Sequence, residues 1–308
     1  MTDKRKITAS VTSLYFLSGP TASGKTELAH ALAARSGYRL CSADSMMVYR
    51  HMNIGTAKPT SDEIAQYDYA GLNGVEPGAQ YSTGAWIKDL RQQLDDRPTL
   101  VVGGTGLYFR ALIHGLPEED EPTTLTEENP AILREKIREI DPEALQNIAD
   151  PENPRRLERA LAWLQAGKPL PKHWQNQSDF PIPVLSVPVP ELNQRIHDRA
   201  ADMFAHGLLD EARALRARFG QLTGTCAQAI GYKEAFAVLD GDLNVTEAVE
   251  AVAQRTRRYA KRQRTWFRNQ MDARWVTRTN GTPLEDAIRE VEKIWKHTGP
   301  FPFHRSPS

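Results

Sequence analysis

Residues 19–26 read Gly19-Pro20-Thr21-Ala22-Ser23-Gly24-Lys25-Thr26, which fits the pattern G-x-x-x-x-G-K-[ST] of a phosphate-binding loop, or P-loop. A short apolar run at residues 14–18 precedes this stretch and predicts a buried strand. Residues 25–35, rich in alanine, leucine and glutamate, follow the loop and predict a helix. The motif therefore stands between a strand and a helix, which is the context that a genuine phosphate site requires.

The residue types of the loop explain how it would bind phosphate. Its glycines let the backbone curl so that N–H groups point inward, and the N-terminus of the next helix adds partial positive charge. Lys25 supplies a point charge for the terminal phosphates, and the Thr26 hydroxyl is placed to ligate Mg²⁺. The loop alone leaves its ligand open, because a nucleotide and a prenyl diphosphate both offer two adjacent phosphates.

The segments around the P-loop alternate between strand and helix patterns. Residues 39–43 and 99–102 predict further strands, and residues 83–93 predict a helix. This alternation favours an α/β fold, in which a P-loop NTPase-like parallel sheet forms the core. Residues 117–182 instead predict helices without strands, so we expect a helical insertion domain between core segments 1–116 and 183–308. The predicted helices of the insertion are residues 130–140, 142–148 and 154–165.

The second core segment predicts the remaining elements of the sheet and its covering helices. Residues 184–187 and 273–276 are expected to be strands, and the tail from residue 299 is expected to be loose. Long helical patterns cover residues 192–218, 246–269 and 283–297.

The bulk composition is that of an ordinary globular protein, with 308 residues, a hydrophobic fraction of 40% and a formal net charge of zero. No apolar run reaches the roughly 18 residues that a membrane span needs, and the N-terminus lacks the apolar stretch of a signal peptide. We therefore expect a cytoplasmic protein that has no membrane partner. Cys41 and Cys226 provide neither a metal-ligand spacing nor a disulfide framework.

Two polar residues follow predicted strands. Asp44 comes after residues 39–43, and ligands of open α/β sheets bind beyond the carboxyl ends of the strands, so Asp44 should face the same crevice as the P-loop. Asp44 is a candidate general base or magnesium ligand; alternatively, it only caps the segment after the strand. Thr105 lies in a glycine-rich run after residues 99–102 and could offer a hydroxyl to this crevice, although a plain turn would look the same.

One segment is strongly basic although the whole chain is neutral. Residues 251–271 contain no acidic residue, and four of their basic residues recur at helical i, i+3/i+4 spacing: Arg257, Lys261, Arg264 and Arg268. Such a basic stripe suits a polyanion, and a solvated helix face is the alternative. Trp266 and Phe267 either stack on nucleic-acid bases or belong to the core.

Several segments together resemble the tRNA dimethylallyltransferases, also called isopentenyl-tRNA transferases. They occur in the family's order from residue 14 to about residue 276. The signature that begins at residue 42 and runs on through Ile54-Gly55-Thr56-Ala57-Lys58 to residue 59 is far more specific than the P-loop. The chain departs from the family in a shorter insertion and in lacking a histidine before Tyr81-Ser82. The other resembling segments are the P-loop and residues 102–108, 153–161, 228–234 and 256–268.

The resemblance implies that a dimethylallyl group passes from dimethylallyl diphosphate to the exocyclic amine of the adenosine immediately 3′ of the anticodon. It implies that Asp44, Lys25 and Thr105 take part in catalysis, that residues 19–26 and Arg199 bind the diphosphate, and that Thr26 ligates Mg²⁺. Because a base inside a stacked loop is out of reach, the adenosine must be flipped out. The partners implied are the tRNA anticodon stem-loop and dimethylallyl diphosphate, and we expect the enzyme to act as a monomer.

The resemblance also implies a set of tRNA contacts in the loops after two strands, in the insertion and in the last third of the chain. These are Asp44, Ser45, Met46, Met47, Thr105, Arg155, Arg156, Leu157, Glu158, Arg159, Gln228, Ala229, Ile230, Gly231, Tyr232, Lys233, Lys261, Arg262, Gln263, Arg264, Thr265, Trp266, Phe267 and Arg268.

Three other functions share part of the pattern. A P-loop kinase acting on a small metabolite would share the phosphate loop and the sheet, but it would not explain the basic stripe or the insertion. A transferase that prenylates free adenine nucleotides would need no RNA surface. An RNA-binding protein that only senses a nucleotide would have no use for Asp44 beside the P-loop.

Overall fold

The structure is a computed structural model, which describes residues 11–116, 129–148, 150–170, 174 and 176–305, apart from the side chain of Arg155. The described chain divides into two compact units. The first comprises residues up to 115 and from 177 onward, and the second comprises residues 116–176. No helix in the described ranges is both long and apolar enough to cross a membrane.

The first unit is built on a six-stranded sheet. Five strands run parallel in the order β2-β3-β1-β4-β5, and β6 pairs antiparallel with the first half of β1. The expected α/β class with a parallel sheet is confirmed. The strands are β1 Val11–Ser18, β2 Arg39–Ala43, β3 Thr99–Gly103, β4 Pro181–Ser186, β5 Asp272–Thr277 and β6 Phe301–His304.

Helices cover the sheet and supply its core. Leu17 and Leu100 of the central strands pack with Leu28, Leu32 and Trp295 of two covering helices, and all of these side chains are buried. Burial of this apolar surface is the main source of the unit's stability. The helices of the first unit are α1 Lys25–Ser36, α2 Ser61–Tyr67, α3 Thr83–Gln93, α4 Gly106–His114, α7 Val189–Ala205, α8 Leu208–Phe219, α9 Tyr232–Leu239, α10 Val245–Gln270 and α11 Leu284–Thr298.

The second unit, residues 116–176, is helical where it is described. It contains α5 Pro130–Ile140, a 3₁₀ turn at Ala144–Asn147 and α6 Pro154–Gln165. The apolar faces of α5 and α6 meet in a small core of their own. The helix expected at residues 142–148 is therefore wrong, since only a short 3₁₀ turn forms there.

Three further expectations for the first unit are corrected. The single helix expected at residues 192–218 is two helices, because Gly207 takes a left-handed conformation with φ of 101° at the break. The tail from residue 299 is not loose, since Phe301–His304 pairs with β1. The rejoining strand begins at Pro181 rather than at residue 184.

Candidate active site

Three loops meet at the carboxyl end of the parallel sheet. The P-loop follows β1, Asp44 follows β2, and Thr105 lies just beyond β3. Ser18 and Ala43 both pair with Gly103, so the three strands end level with one another. The loops therefore lie at the edge where parallel α/β sheets bind their ligands.

A cavity of about 920 Å³ lies at this edge, within the first unit. Lys25, Thr26 and Asp44 line it from the strand ends, and Arg199 lines it from α7. The same helix and α10 contribute an apolar part of the lining, composed of Ile196, Ala200, Met203 and Val252. The cavity thus combines cations, a carboxylate and an apolar wall, as a ligand with a charged and a hydrocarbon part would require.

Contacts from Arg278, just after β5, hold the P-loop in its curled form. Gly24 has a φ of 82°, and a Cβ at this position would lie 2.3 Å from the Arg278 guanidinium. Arg278 donates a hydrogen bond of 2.9 Å to the Gly24 carbonyl and pairs with Glu27 at 2.7 Å. The buried Ser23 hydroxyl has no hydrogen-bond partner among the described residues. The loop is therefore rigid and retains polar groups that could serve a phosphate.

The charges of the cavity are arranged around Asp44. Burial and the nearby Arg199 guanidinium lower the pKa of Lys25 to about 8, while Asp44 acts in the opposite direction. Burial also lowers the pKa of Arg199, again against the effect of Asp44. Two cations therefore lie beside one carboxylate. The site keeps a net positive charge, which favours the binding of an anion.

Asp44 and Thr105 are connected by hydrogen bonds through the backbone next to Asp44. The Asp44 carboxylate accepts the Met46 N–H at 2.9 Å, and the Thr105 hydroxyl accepts the Ser45 N–H at 3.1 Å. The Thr105 N–H in turn donates to the Ala43 carbonyl at 3.1 Å. Asp44 thus makes the local turn contact that a cap would make, and it also lines the cavity. Its role as a base stays a prediction.

Residues 55–59 and part of the segment 228–233 form another part of the cavity lining. Glu211 connects the loop at residues 53–59 to this segment by hydrogen bonds. Its carboxylate accepts the N–H groups of Asn53, Ile54 and Gly55 at 2.9–3.3 Å and the Tyr232 hydroxyl at 2.6 Å. Tyr232 is fully buried, so its side chain serves this packing, and the tRNA contact expected for the residue stays a prediction. Its neighbours Gln228, Ala229, Ile230 and Lys233 do line the cavity.

Gly231 serves the same segment through its backbone. It has a φ of 104° and donates its N–H to the buried Glu234 carboxylate at 3.0 Å. Glu234 also pairs with Arg255 at 2.5 Å, and Arg255 donates to the Gln228 carbonyl at 3.3 Å. Arg255 therefore supports this segment from α10, whereas its position in the basic window was compatible with either a polyanion contact or a solvated helix face.

The basic helix α10 has an outer and an inner face. Lys261, Arg262, Thr265 and Arg268 are exposed on it, and Arg264 is half-buried. Arg257 belongs to the expected stripe but pairs with Glu250 at 2.5 Å. The residues of the stripe that can contact a polyanion are thus mainly Lys261, Arg264 and Arg268.

The aromatic pair on α10 belongs largely to the core. Phe267 is 1% exposed and packs edge-on against Phe109, so its ring belongs to the core, and the tRNA contact expected for the residue stays a prediction. Trp266 is half-buried against Gly106, where a Cβ would lie 2.0 Å from the indole ring. Stacking on bases stays a prediction for Trp266 alone.

The motif in the second unit lies on α6. Arg156 and Arg159 are exposed there, as an RNA contact requires. Leu157 is fully buried in the unit's own core and Glu158 is 5% exposed, and the tRNA contacts expected for these two residues stay predictions. The Arg155 side chain lies outside the described part of the structure.

Residues that the sequence reasoning missed act mainly through packing and support. Glu211 and Arg278 are far from the motifs that they hold and carry no local signal of their own. Ile196 and Met203 are spaced seven residues apart on one helix face, which is indistinguishable from an ordinary core pattern. Only the fold reveals that this face lines a cavity.

Fold and site together define a P-loop α/β enzyme with a phosphate cradle, a carboxylate and an apolar wall in one cavity. The chain matches the family model described as IPP transferase over residues 47–270, and the isopentenyl transferase model over residues 12–70. The chain therefore belongs to the IPP transferase family.

Individual relatives agree with this assignment. A tRNA dimethylallyltransferase from Koribacter versatilis is 38% identical over 284 residues, covering 85% of this chain and 92% of the relative. One from Geobacillus thermodenitrificans is 36% identical over 300 residues, covering 91% and 94%. The crystal structure of a tRNA isopentenylpyrophosphate transferase from Bacillus halodurans has a TM-score of 0.67 and 33% identity, covering 93% of this chain and 96% of that one.

Proposed function

We propose that this enzyme transfers the dimethylallyl group of dimethylallyl diphosphate to the exocyclic amine of the adenosine immediately 3′ of the anticodon in tRNA, and releases diphosphate. The observation that carries the proposal is the cavity itself, in which Asp44 lies beside Lys25 and Arg199 and close to an apolar wall. The family membership and the names of the relatives support the same reaction.

In the donor, the bond between the allylic carbon and the diphosphate oxygen breaks. Cationic character develops on that carbon while negative charge gathers on the leaving group. Lys25, Arg199 and the P-loop N–H groups stabilise the negative charge, and they do so more strongly in a cavity that excludes water. The apolar lining from α7 and α10 accommodates the hydrocarbon.

In the acceptor, the adenosine amine is a weak nucleophile because its lone pair is delocalised into the purine. As the new nitrogen–carbon bond forms, the amine must lose a proton, and Asp44 is positioned to accept it. The Thr105 hydroxyl, fixed by the Ser45 N–H, provides a second polar group at the same edge of the sheet. The adenosine reaches these groups only when it is flipped out of the loop.

A magnesium ion fits this site. The described residues contain no group of three or more histidine, cysteine, aspartate or glutamate side chains that could hold a metal. Magnesium in phosphate sites takes most of its ligands from phosphate and water, so the exposed Thr26 hydroxyl suffices as a protein ligand. When bound, the ion would supply positive charge to the leaving diphosphate.

The exposed cations of α10, with Arg156 and Arg159 of α6, support a polyanionic acceptor over a free nucleotide. We propose a cytoplasmic location on the same basis, because the proposed acceptor, unmodified tRNA, is found there.

The test is transfer of radiolabel from dimethylallyl diphosphate to unmodified tRNA, with AMP and ATP supplied in parallel reactions. Label in tRNA that depends on Mg²⁺ is the expected result. Label on AMP without label on tRNA would assign the enzyme to free nucleotides. Phosphate transfer from ATP without prenyl transfer would identify a kinase and overturn the proposal.

A further inference from the structure

Gln263 lies on the inner face of α10 and bridges two loops of the active site. Its Oε1 accepts the Thr21 N–H at 2.9 Å, and its Nε2 donates to the Gly104 carbonyl at 2.9 Å. The residue is only 5% exposed. Both ends of its amide are therefore occupied within the protein, which leaves little of Gln263 for the tRNA contact that its motif implied.

The two loops that Gln263 joins serve different halves of the proposed reaction. Thr21 belongs to the P-loop, which holds the donor. Gly104 precedes Thr105, whose hydroxyl accepts the Ser45 N–H next to Asp44. Gln263 thus spans from the donor's diphosphate to the groups that face the acceptor amine.

The surroundings of the bridge are built to fit it. A Cβ on Gly104 would lie 2.1 Å from Gln263 Nε2 and 3.3 Å from the Gly19 carbonyl oxygen, so a glycine is required for this approach. One turn earlier on α10, burial raises the pKa of Tyr259, and side-chain hydrogen bonds with Thr105 and Gln263 lower it in part. Tyr259 therefore contacts Gln263 itself and Thr105, which follows Gly104 in the second of the two loops.

We infer that Gln263 is a positioning residue, which fixes the distance between the diphosphate cradle and the Asp44–Thr105 pair. The inference rests on the proposed function, because it assigns the two loops to donor and acceptor. It does not make Gln263 a catalytic residue, since the amide acts through Thr21 and Gly104.

The chemistry of the amide offers a sharp test. A glutamine both accepts and donates through one planar group, as the bridge requires. In Gln263→Glu, one carboxylate oxygen can still accept the Thr21 N–H. The other oxygen replaces the donor Nε2, so it faces the Gly104 carbonyl oxygen and the two acceptors repel each other. The protonated form of the carboxylate can donate again. In Gln263→Leu, neither bond can form.

The experiment compares these variants with Gln92→Glu and Gln92→Leu, which make the same changes at an exposed position of α3. For each protein we would measure kcat, the KM for tRNA and the KM for dimethylallyl diphosphate between pH 6 and 8. Thermal unfolding and circular dichroism would establish that each variant is folded.

The positioning role predicts that kcat falls about 100-fold in both Gln263 variants, because the reacting groups are misplaced, while the KM for tRNA stays within about threefold. The ratio of Gln263→Glu to wild-type activity should rise as the pH is lowered, since the neutral acid restores the donor. Gln263→Leu should show no such recovery. The Gln92 variants should match the wild type throughout.

A second measurement needs no substrate. Hydrogen exchange of the free enzyme should be faster, on the order of tenfold, in peptides covering residues 19–26 and 103–108 of Gln263→Leu, because the Thr21 N–H loses its acceptor. Exchange elsewhere in the sheet should be unchanged.

Two results would overturn the inference. One is activity of the Gln263 variants equal to that of the Gln92 controls. The other is an effect confined to the KM for tRNA and its salt dependence, which would make Gln263 an RNA contact. If the wild type itself transfers no prenyl group to tRNA, the proposed function fails, and unchanged exchange in Gln263→Leu would separately show that the bridge does not hold the loops.

Discussion

Replacement of Glu211 by alanine should destabilise the first unit and impair the active site together. The Glu211 carboxylate is the common acceptor for the N–H groups of Asn53, Ile54 and Gly55 and for the Tyr232 hydroxyl. A Cβ on Gly55 would lie 2.4 Å from the Tyr232 ring, so the loop and the ring are closely packed. Without the carboxylate, the loop loses its anchor to α8.

The magnitude follows from which donors can find water. Tyr232 is fully buried, and an orphaned buried hydroxyl costs about 1–3 kcal/mol. The three N–H groups lie in a partly exposed loop, so water can replace the carboxylate as their acceptor. Each then costs only the difference between a hydrogen bond to a charged acceptor and one to water, about 0.5 kcal/mol. The expected loss in the free energy of unfolding is therefore about 3 kcal/mol. Tyr232→Phe should cost about 1 kcal/mol, since it removes one donor and leaves the carboxylate its other partners.

The assay is urea denaturation followed by tryptophan fluorescence, with Glu290→Ala on the exposed face of α11 as the matched control. The double variant of Glu211 and Tyr232 should cost less than the sum of the single variants, because the two share a bond. The loop lines the cavity, so kcat/KM for tRNA should fall about tenfold or more in Glu211→Ala. A change below about 0.5 kcal/mol, equal to that of the control, would refute the anchoring role.

Three further predictions concern charges around the cavity. Burial lowers the pKa of Lys58 to about 8 from its ordinary value of 10.5. Between these two pH values the folded state binds fewer protons than the unfolded state. The free energy of unfolding should therefore rise with pH across that window. Lys25, whose pKa is also lowered to about 8, contributes a similar rise, so Lys58→Met should reduce the slope in pH-dependent urea denaturation without removing it. A slope identical to that of the wild type would contradict the assignment. Arg255→Met leaves the buried Glu234 carboxylate without its ion-pair partner and should destabilise by about 3 kcal/mol, and adding Glu234→Gln should recover part of that loss in the same assay. Replacing Lys261 and Arg264 by alanine should lower the slope of log K for tRNA binding against log salt by about 1.5, and an unaltered slope would remove the stripe from the RNA surface.

The arrangement of the strand ends could be predicted from the sequence because it follows from local patterns. The P-loop stands between an apolar run and a helical pattern, and Asp44 directly follows a strand that has the same bounds in the structure as in the prediction. In a parallel sheet these two facts alone bring Lys25 and Asp44 to one edge.

What could not be predicted depends on contacts between distant segments. Nothing in the sequence around Gln263 distinguishes an exposed glutamine from one whose amide joins Thr21 to Gly104. Gly104 is 159 residues away from Gln263 in the chain. The same holds for Phe267, whose position beside a basic stripe left base stacking and core packing both open, and whose ring packs in the core. Strand β6 was missed because Phe301–His304 is short and contains a proline, and pairing with β1 stabilises it.

The most direct test of the account is a single-turnover reaction of Asp44→Asn with tRNA and labelled dimethylallyl diphosphate, compared with the wild type. The asparagine keeps the size of the side chain but cannot accept the proton of the amine. The wild type should form prenylated adenosine next to the anticodon, whereas the variant should bind both substrates and form product at least about 100-fold more slowly. Product formation by the variant at the wild-type rate would contradict the claim that this cavity, through Asp44, carries out the transfer.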